Sequence, residues 1–158
     1  MLVNTTYVRV RYADTDKMGI TYYSKYLEWF EVGRTEMLRD IGFPYTQLEK
    51  EGIGLPVIEA YCRYHRAATY DQLLRIVSAV KTLPRVTIRI EYKIYNEQQE
   101  LLVDGYTTHP FIGKAGKPVR APKALLEVLQ PYFKADPLDL PSEADARRGA
   151  NGKNGKTG

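Results

Sequence analysis

Two aspartates one residue apart, Asp14 and Asp16, sit in the segment Tyr12-Ala13-Asp14-Thr15-Asp16-Lys17-Met18-Gly19, and an aromatic pair, Tyr22-Tyr23, follows. A helical pattern begins directly afterwards, at Ser24. A carboxylate held ahead of a helix start suits reactions at a carbonyl. Unpaired backbone N–H groups at a helix N-terminus can stabilise a developing oxyanion. The carboxylate itself can attack the carbonyl carbon or activate a water for that attack. Asp and Thr are also ordinary turn residues, so simple helix entry is the competing reading.

The elements that must position this segment follow from periodicity. Tyr26, Phe30, Gly33, Met37 and Ile41 recur at spacings of three and four, which predicts a helix over 24–41, with Leu27 and Leu38 widening its apolar stripe. Gly42 and Pro44 stop it. A glycine inside a helix costs about 1 kcal/mol relative to alanine, so Gly33 predicts close approach to a packed neighbour. Val8, Val10 and Tyr12 alternate with Arg9 and Arg11, predicting a first strand over 7–12. A short helix is expected over 44–51. Strand patterns then run over 55–69 (Ile58, Ala60, Cys62, Tyr64), 73–83, 86–95 and 101–112, and a final helix over 122–132. The later connections are too short for helical crossovers, so the sheet must be mostly antiparallel. The expected class is α+β, with a curved antiparallel five-stranded sheet wrapped around one long helix.

The chain has 158 residues, enough for one domain with a real core. That domain is expected over 1–134. Residues 135–158 are rich in Gly, Pro, Ala, Asp and Lys and lack aromatics, so they are expected to form a flexible tail. No apolar run approaches the roughly 20 residues that span a bilayer. The first residues lack the basic-then-apolar pattern of an export signal, which makes the cytoplasm the default location. The single cysteine, Cys62, excludes an intramolecular disulfide and argues against a Cys-based zinc site; it reads as a buried structural thiol. No motif calls for a metal or another cofactor, and none is expected. The net charge of +4 suits an anionic ligand, a nucleic acid or an acidic partner, and charge alone does not choose among these or against a plain solvated surface. The thirteen tyrosines fit core positions, and no nucleic-acid-binding motif accompanies them.

The ordered segment YADTDKMGITYYSKYLEWFEVGRTEML carries a more specific signal. It resembles the signature of the 4-hydroxybenzoyl-CoA thioesterase family, including its YbgC-like branch. That signature has an aromatic residue, D-x-D, two residues and a glycine, an aromatic pair, and a helix matched here by Tyr26, Leu27, Phe30, Glu31 and Arg34. The resemblance extends to GKPVRAP at 116–122, covering about residues 5–132. It implies a hotdog fold and hydrolysis of an acyl-CoA thioester to free acid and CoA. It implies Asp16 as nucleophile or general base, the Tyr23 backbone N–H as oxyanion donor, and Gly19 as the residue permitting tight approach of strand and helix. Asp14 is then structural. Sites in the family form between two subunits, so a dimer at least is implied, with tetramers common.

Arg85, Lys117 and Arg120 are the group best suited to the CoA phosphates, because arginine forks match phosphate oxygens. Glu31 and Arg34 are three apart and predict a local ion pair. His65 and His109 fall outside the motif and read as structural or surface residues. Many members of the YbgC-like branch have histidine where this chain has Tyr23, so that branch's short-chain preference does not carry over. Two alternatives stand beside this reading. A hotdog dehydratase would want a histidine in the D-x-D segment, where none exists. A non-catalytic acyl-CoA-binding or interaction module would give no reason for a carboxylate at Asp16.

Overall fold

The computed structural model describes residues 1–133; the expected tail at 135–158 lies outside the described residues. The elements are β1 (Leu2–Arg9), a 3-10 turn (Tyr12–Asp14), α1 (Lys25–Asp40), α2 (Tyr45–Lys50), β2 (Glu59–Tyr64) and β3 (Leu73–Val80). Then come β4 (Thr87–Tyr95), β5 (Leu101–Ile112), β6 (Pro118–Val119) and α3 (Lys123–Leu129), which runs into a 3-10 turn (Gln130–Phe133). The sheet order is β1-β3-β4-β5-β2, every pairing antiparallel, and the two-residue β6 adds to the end of β5.

The core lies between α1 and the inner sheet face. Leu74, Ile76, Ser78 and Val80 of β3 and Ile88, Ile90, Tyr92 and Ile94 of β4 are buried by alternation. They meet Tyr26, Trp29, Phe30, Met37 and Leu38 of α1. Phe30 stacks on Tyr92 with centroids 4.3 Å apart. Gly33 explains the closeness: a Cβ there would sit 2.5 Å from Ser78 Oγ and 2.9 Å from Ile76 Cγ2. The helix glycine therefore offsets its propensity cost by letting the helix reach the sheet. One long helix cradled by a curved antiparallel sheet is the hotdog arrangement.

Two strands differ from expectation. β1 starts at Leu2 and ends at Arg9, pairing from Leu2↔Val80 to Arg9↔Leu73. After Leu2 and Val3 the run Asn4-Thr5-Thr6 interrupts the apolar pattern, which hid its alternation. Tyr12 does not join Val8 and Val10 on the buried face. It opens the 3-10 turn and is 79% exposed, because the Arg11 N–H turns back to bond Asp14.

The second difference is β2, which is shorter than the 55–69 pattern and uncovered. Ile58, Tyr61 and Tyr64 are exposed, and Cys62 is only half-buried. β2 pairs with β5 on one side and lies at the sheet edge, and among the described residues nothing covers its exposed side chains.

Candidate active site

The loop between β1 and α1 is built around Asp14. The Arg11 backbone N–H donates to Asp14 Oδ2 (2.8 Å) and the Arg11 guanidinium donates to Oδ1 (3.1 Å). Lys25 Nζ lies 4.0 Å from the same oxygen. The Asp14 carbonyl accepts the Tyr22 N–H (2.8 Å). Asp14 is 2% exposed, and its charge is offset by two cations. It ties the end of the first strand to the start of the long helix, and both of its oxygens are engaged.

Asp16 is built differently. Its Oδ1 accepts the Met18 N–H (2.8 Å), and its carbonyl accepts the Gly19 N–H (3.0 Å). These bonds close a turn over 16–19 and aim a half-buried carboxylate whose Oδ2 has no partner among the described residues. Gly19 has φ +78°, yet nothing lies within 4 Å of where its Cβ would be. The tight strand–helix approach expected at Gly19 is therefore corrected. The glycine is needed for its left-handed backbone, in a turn open to solvent.

The strand-like return through Ile20 and Thr21 is pinned to a second segment, with Thr21 N–H donating to the Ala68 carbonyl (2.9 Å). It delivers Tyr22 near the Asp16 charge, with Tyr23 next in the chain and lining a cavity that Asp16 does not itself line. The two tyrosine rings lie 4.6 Å apart. The Tyr22 hydroxyl is pushed above its ordinary value first by its hydrogen bond to Tyr23 and also by the nearby Asp16 charge.

The helix start supplies donors. The Tyr22 carbonyl accepts the Lys25 N–H (3.0 Å), while the N–H groups of Tyr23 and Ser24 have no partner among the described residues. Ser24 makes no side-chain cap. The Tyr23 carbonyl accepts the Tyr64 hydroxyl (2.9 Å). Thr21, Tyr23, Tyr26 and Tyr64 line a cavity of about 250 Å³, and Thr21 Oγ1 is buried without a partner among the described residues. A half-buried carboxylate, free N–H groups at a helix start and a small aromatic cavity suit addition to a carbonyl.

The pattern of the thioesterase-like superfamily matches residues 10–129. The chain is 34% identical over 136 residues to YneP of Bacillus subtilis, a protein provisionally named an acyl-CoA thioesterase; the match spans 85% of this chain and 99% of YneP. It is 32% identical over 95 residues to the acyl-CoA thioester hydrolase YbgC of Escherichia coli O157:H7, spanning 60% of this chain and 71% of YbgC. The crystal structure of a DHNA-CoA thioesterase from Staphylococcus aureus superposes with a TM-score of 0.79 at 29% identity, covering 94% of this chain and 96% of that one. This chain belongs to the thioesterase-like superfamily. It is a thioester hydrolase with the hotdog fold.

In this thioesterase the expected basic residues lie far from Asp16. Arg85 and Arg120 line one cavity of about 550 Å³, joined by the Ala121 N–H bond to the Arg85 carbonyl. Lys117 sits in the turn before β6, outside that cavity. All three lie at the end of the sheet where β4 begins and β5 finishes. The Asp16 loop packs at the other end, near Ala68 and the start of β3. The nine residues of β4 separate the two ends by about 30 Å.

The remaining residues divide cleanly. Burial pushes the Cys62 thiol up, which opposes the thiolate a nucleophile needs. His65 pairs with Asp104. His109 is fully buried between Thr107 and the Leu55 carbonyl. The expected Glu31–Arg34 ion pair does not form: Arg34 instead donates to Tyr45 Oη (3.2 Å), because α2 brings that phenol within reach. One site feature had no signal in the sequence: the Tyr64 contact, 41 residues from its partner.

Proposed function

We propose that this protein hydrolyses an acyl-CoA thioester to a free acid and CoA, with Asp16 as the reacting carboxylate. The observation that carries this reading is the half-buried Asp16, one oxygen held by Met18 and the other without a partner among the described residues, on the loop that leads into the helix start where the Tyr23 N–H is unpaired. Asp16 attacks the thioester carbonyl carbon, or takes a proton from the water that does. In both routes the carbonyl oxygen becomes negative and the Tyr23 N–H receives it. Collapse of the tetrahedral species expels the CoA thiolate. In the first route a water then hydrolyses the acyl-Asp16 anhydride, and in both the acyl carbon ends as a carboxylic acid.

The working unit in this proposal is at least a dimer. β2 offers an unpaired backbone edge flanked by exposed Val57, Ile58, Tyr61 and Tyr64, an arrangement that invites another strand. A two-fold pairing of β2 with its copy sets the Tyr64 end of one strand against the Glu59 end of the other. Thr108 pairs with Glu59, so the partner's β5 terminus and its basic end approach this chain's Asp16 end. That resolves the 30 Å separation: Arg85, Lys117 and Arg120 serve the CoA phosphates of the neighbouring site. The names of YneP and YbgC, both tied to acyl-CoA, support this substrate class.

The test is thiol release from acetyl-, hexanoyl-, decanoyl- and benzoyl-CoA by wild type and Asp16→Asn, with light scattering to count subunits. Cleavage of at least one ester that collapses in Asp16→Asn, by an assembly of two or more subunits, supports the proposal. Binding of the esters without cleavage would overturn it.

A further inference from the structure

We infer that Tyr64 is a positioning residue for the reaction: its phenol holds the peptide that follows Tyr23 and so sets the direction of the oxyanion donors. The inference rests on the proposed role of the Tyr23 N–H.

Peptide units are planar, so a residue's φ and ψ are set once the two planes flanking it are fixed. At Tyr23 both planes are held. The preceding one is pinned at the Tyr22 carbonyl by the Lys25 N–H (3.0 Å), and the following one at the Tyr23 carbonyl by the Tyr64 hydroxyl (2.9 Å). The two bonds differ in origin. The first belongs to the helix and forms with it. The second comes from β2, across the mouth of the cavity that Tyr23, Tyr26 and Tyr64 share. In a trans peptide the N–H points opposite to the C=O. Holding the Tyr23 carbonyl toward Tyr64 therefore turns the free Ser24 N–H the other way, so Tyr64 sets the Ser24 donor and restrains Tyr23 from its carbonyl side, while the Tyr22–Lys25 bond aims the Tyr23 N–H.

The phenol is suited to donate. Partial desolvation of the hydroxyl end of this otherwise exposed side chain, with the neighbouring Cys62 adding to it, pushes its ionisation above the ordinary tyrosine value, so it keeps its proton at any working pH. Its ring is seated edge-on against Tyr26, with centroids 5.4 Å apart, and that contact survives loss of the hydroxyl. The hydroxyl and the ring can thus be separated experimentally.

The experiment is Tyr64→Phe, assayed beside wild type and Asp16→Asn on the same four acyl-CoA esters, with melting temperature and subunit count measured for each. The expected result is a kcat lowered about 10-fold, the scale of one net hydrogen bond, with KM within about twofold and an unchanged fold. A general packing defect would instead raise KM or lower the melting temperature. A polyfluorinated tyrosine at 64 gives a second reading that keeps the shape. Its more acidic phenol loses the donor proton as pH rises, so kcat should fall on the alkaline side where wild type does not. If Tyr64→Phe keeps full kcat while Asp16→Asn is dead, this inference is wrong and the proposed function stands. If wild type cleaves none of the four esters, both fall together.

Discussion

Asp14 and Asp16 are separated by one residue, yet their surroundings are opposite. Asp14 is buried with its oxygens divided between the Arg11 backbone and guanidinium and the Lys25 ammonium. Asp16 is half-buried on an open glycine turn, with one oxygen held and the other free. The same contrast recurs elsewhere. The buried chain through Tyr92, Thr107, His109 and the Leu55 carbonyl has each proton assigned to an acceptor. The N–H groups of Tyr23 and Ser24 have none among the described residues. A saturated polar group stabilises a fold and has no valence left for a substrate. A group with one position held and one open is oriented and still able to react. Burial alone would have ranked Asp14 above Asp16 as the site, and the count of free valences reverses that order.

The largest expected effect tests the reactive side. Asp16→Asn should lower kcat by about 1,000-fold, within the range for removing a general base or nucleophile, while the melting temperature stays near wild type. Asp14→Asn should do the reverse. It places an amide donor among cationic donors and costs about 2 kcal/mol, read as a melting temperature lower by about 5 °C. Its folded fraction should retain most of the activity. If the two variants exchange phenotypes, the division between saturated and open carboxylates is wrong.

A smaller effect tests the distance between the two ends of the sheet. The double variant Arg85→Ala/Arg120→Ala should raise KM for an acyl-CoA by about 10-fold, the scale of one or two charge-assisted phosphate contacts. It should leave hydrolysis of the matching acyl-N-acetylcysteamine ester, which lacks the nucleotide phosphates, unchanged. Equal effects on both esters would remove the basic end from CoA recognition.

What the sequence disclosed about this fold depended on whether the cause lay nearby. The buried faces of α1, β3 and β4 were readable because periodicity records which side packs. The D-x-D segment was readable because turn, carboxylates and helix start are contiguous. The first half of β1 was hidden, since Asn4, Thr5 and Thr6 carry no apolar alternation. β2 showed alternation without the burial it suggested, because no element among the described residues covers its side chains. Arg34 found Tyr45 rather than Glu31 because α2 folds back over α1, which spacing along one helix cannot reveal. Tyr64 reaches Tyr23 only through the sheet. Gly19 was singled out for the wrong reason: its position in the motif was visible, but whether it met a crowded neighbour or an open turn needed coordinates.

The smallest effect tests the saturated side through pH. A carbonyl only accepts, so His109 Nδ1–H donates to the Leu55 carbonyl (3.1 Å), and Nε2 must accept from Thr107 Oγ1–H (2.8 Å). The Thr107 proton is then committed, and Tyr92 donates to Thr107 (2.9 Å). Protonating His109 would give Nε2 a hydrogen where it needs a lone pair. Burial, with the nearby Arg34 charge adding to it, holds the His109 pKa below its ordinary 6.5. The folded chain therefore resists a proton that the unfolded chain accepts. Stability is full above pH 6.5 and falls as pH drops toward the depressed folded value. His109→Gln keeps a donor and an acceptor without titrating. It should stay within about 1 kcal/mol of wild type at neutral pH and remove this part of the acid-side loss, measured as melting temperature against pH. An unchanged pH slope would mean that the buried chain tolerates the extra proton, and that its apparent saturation does not extend to His109.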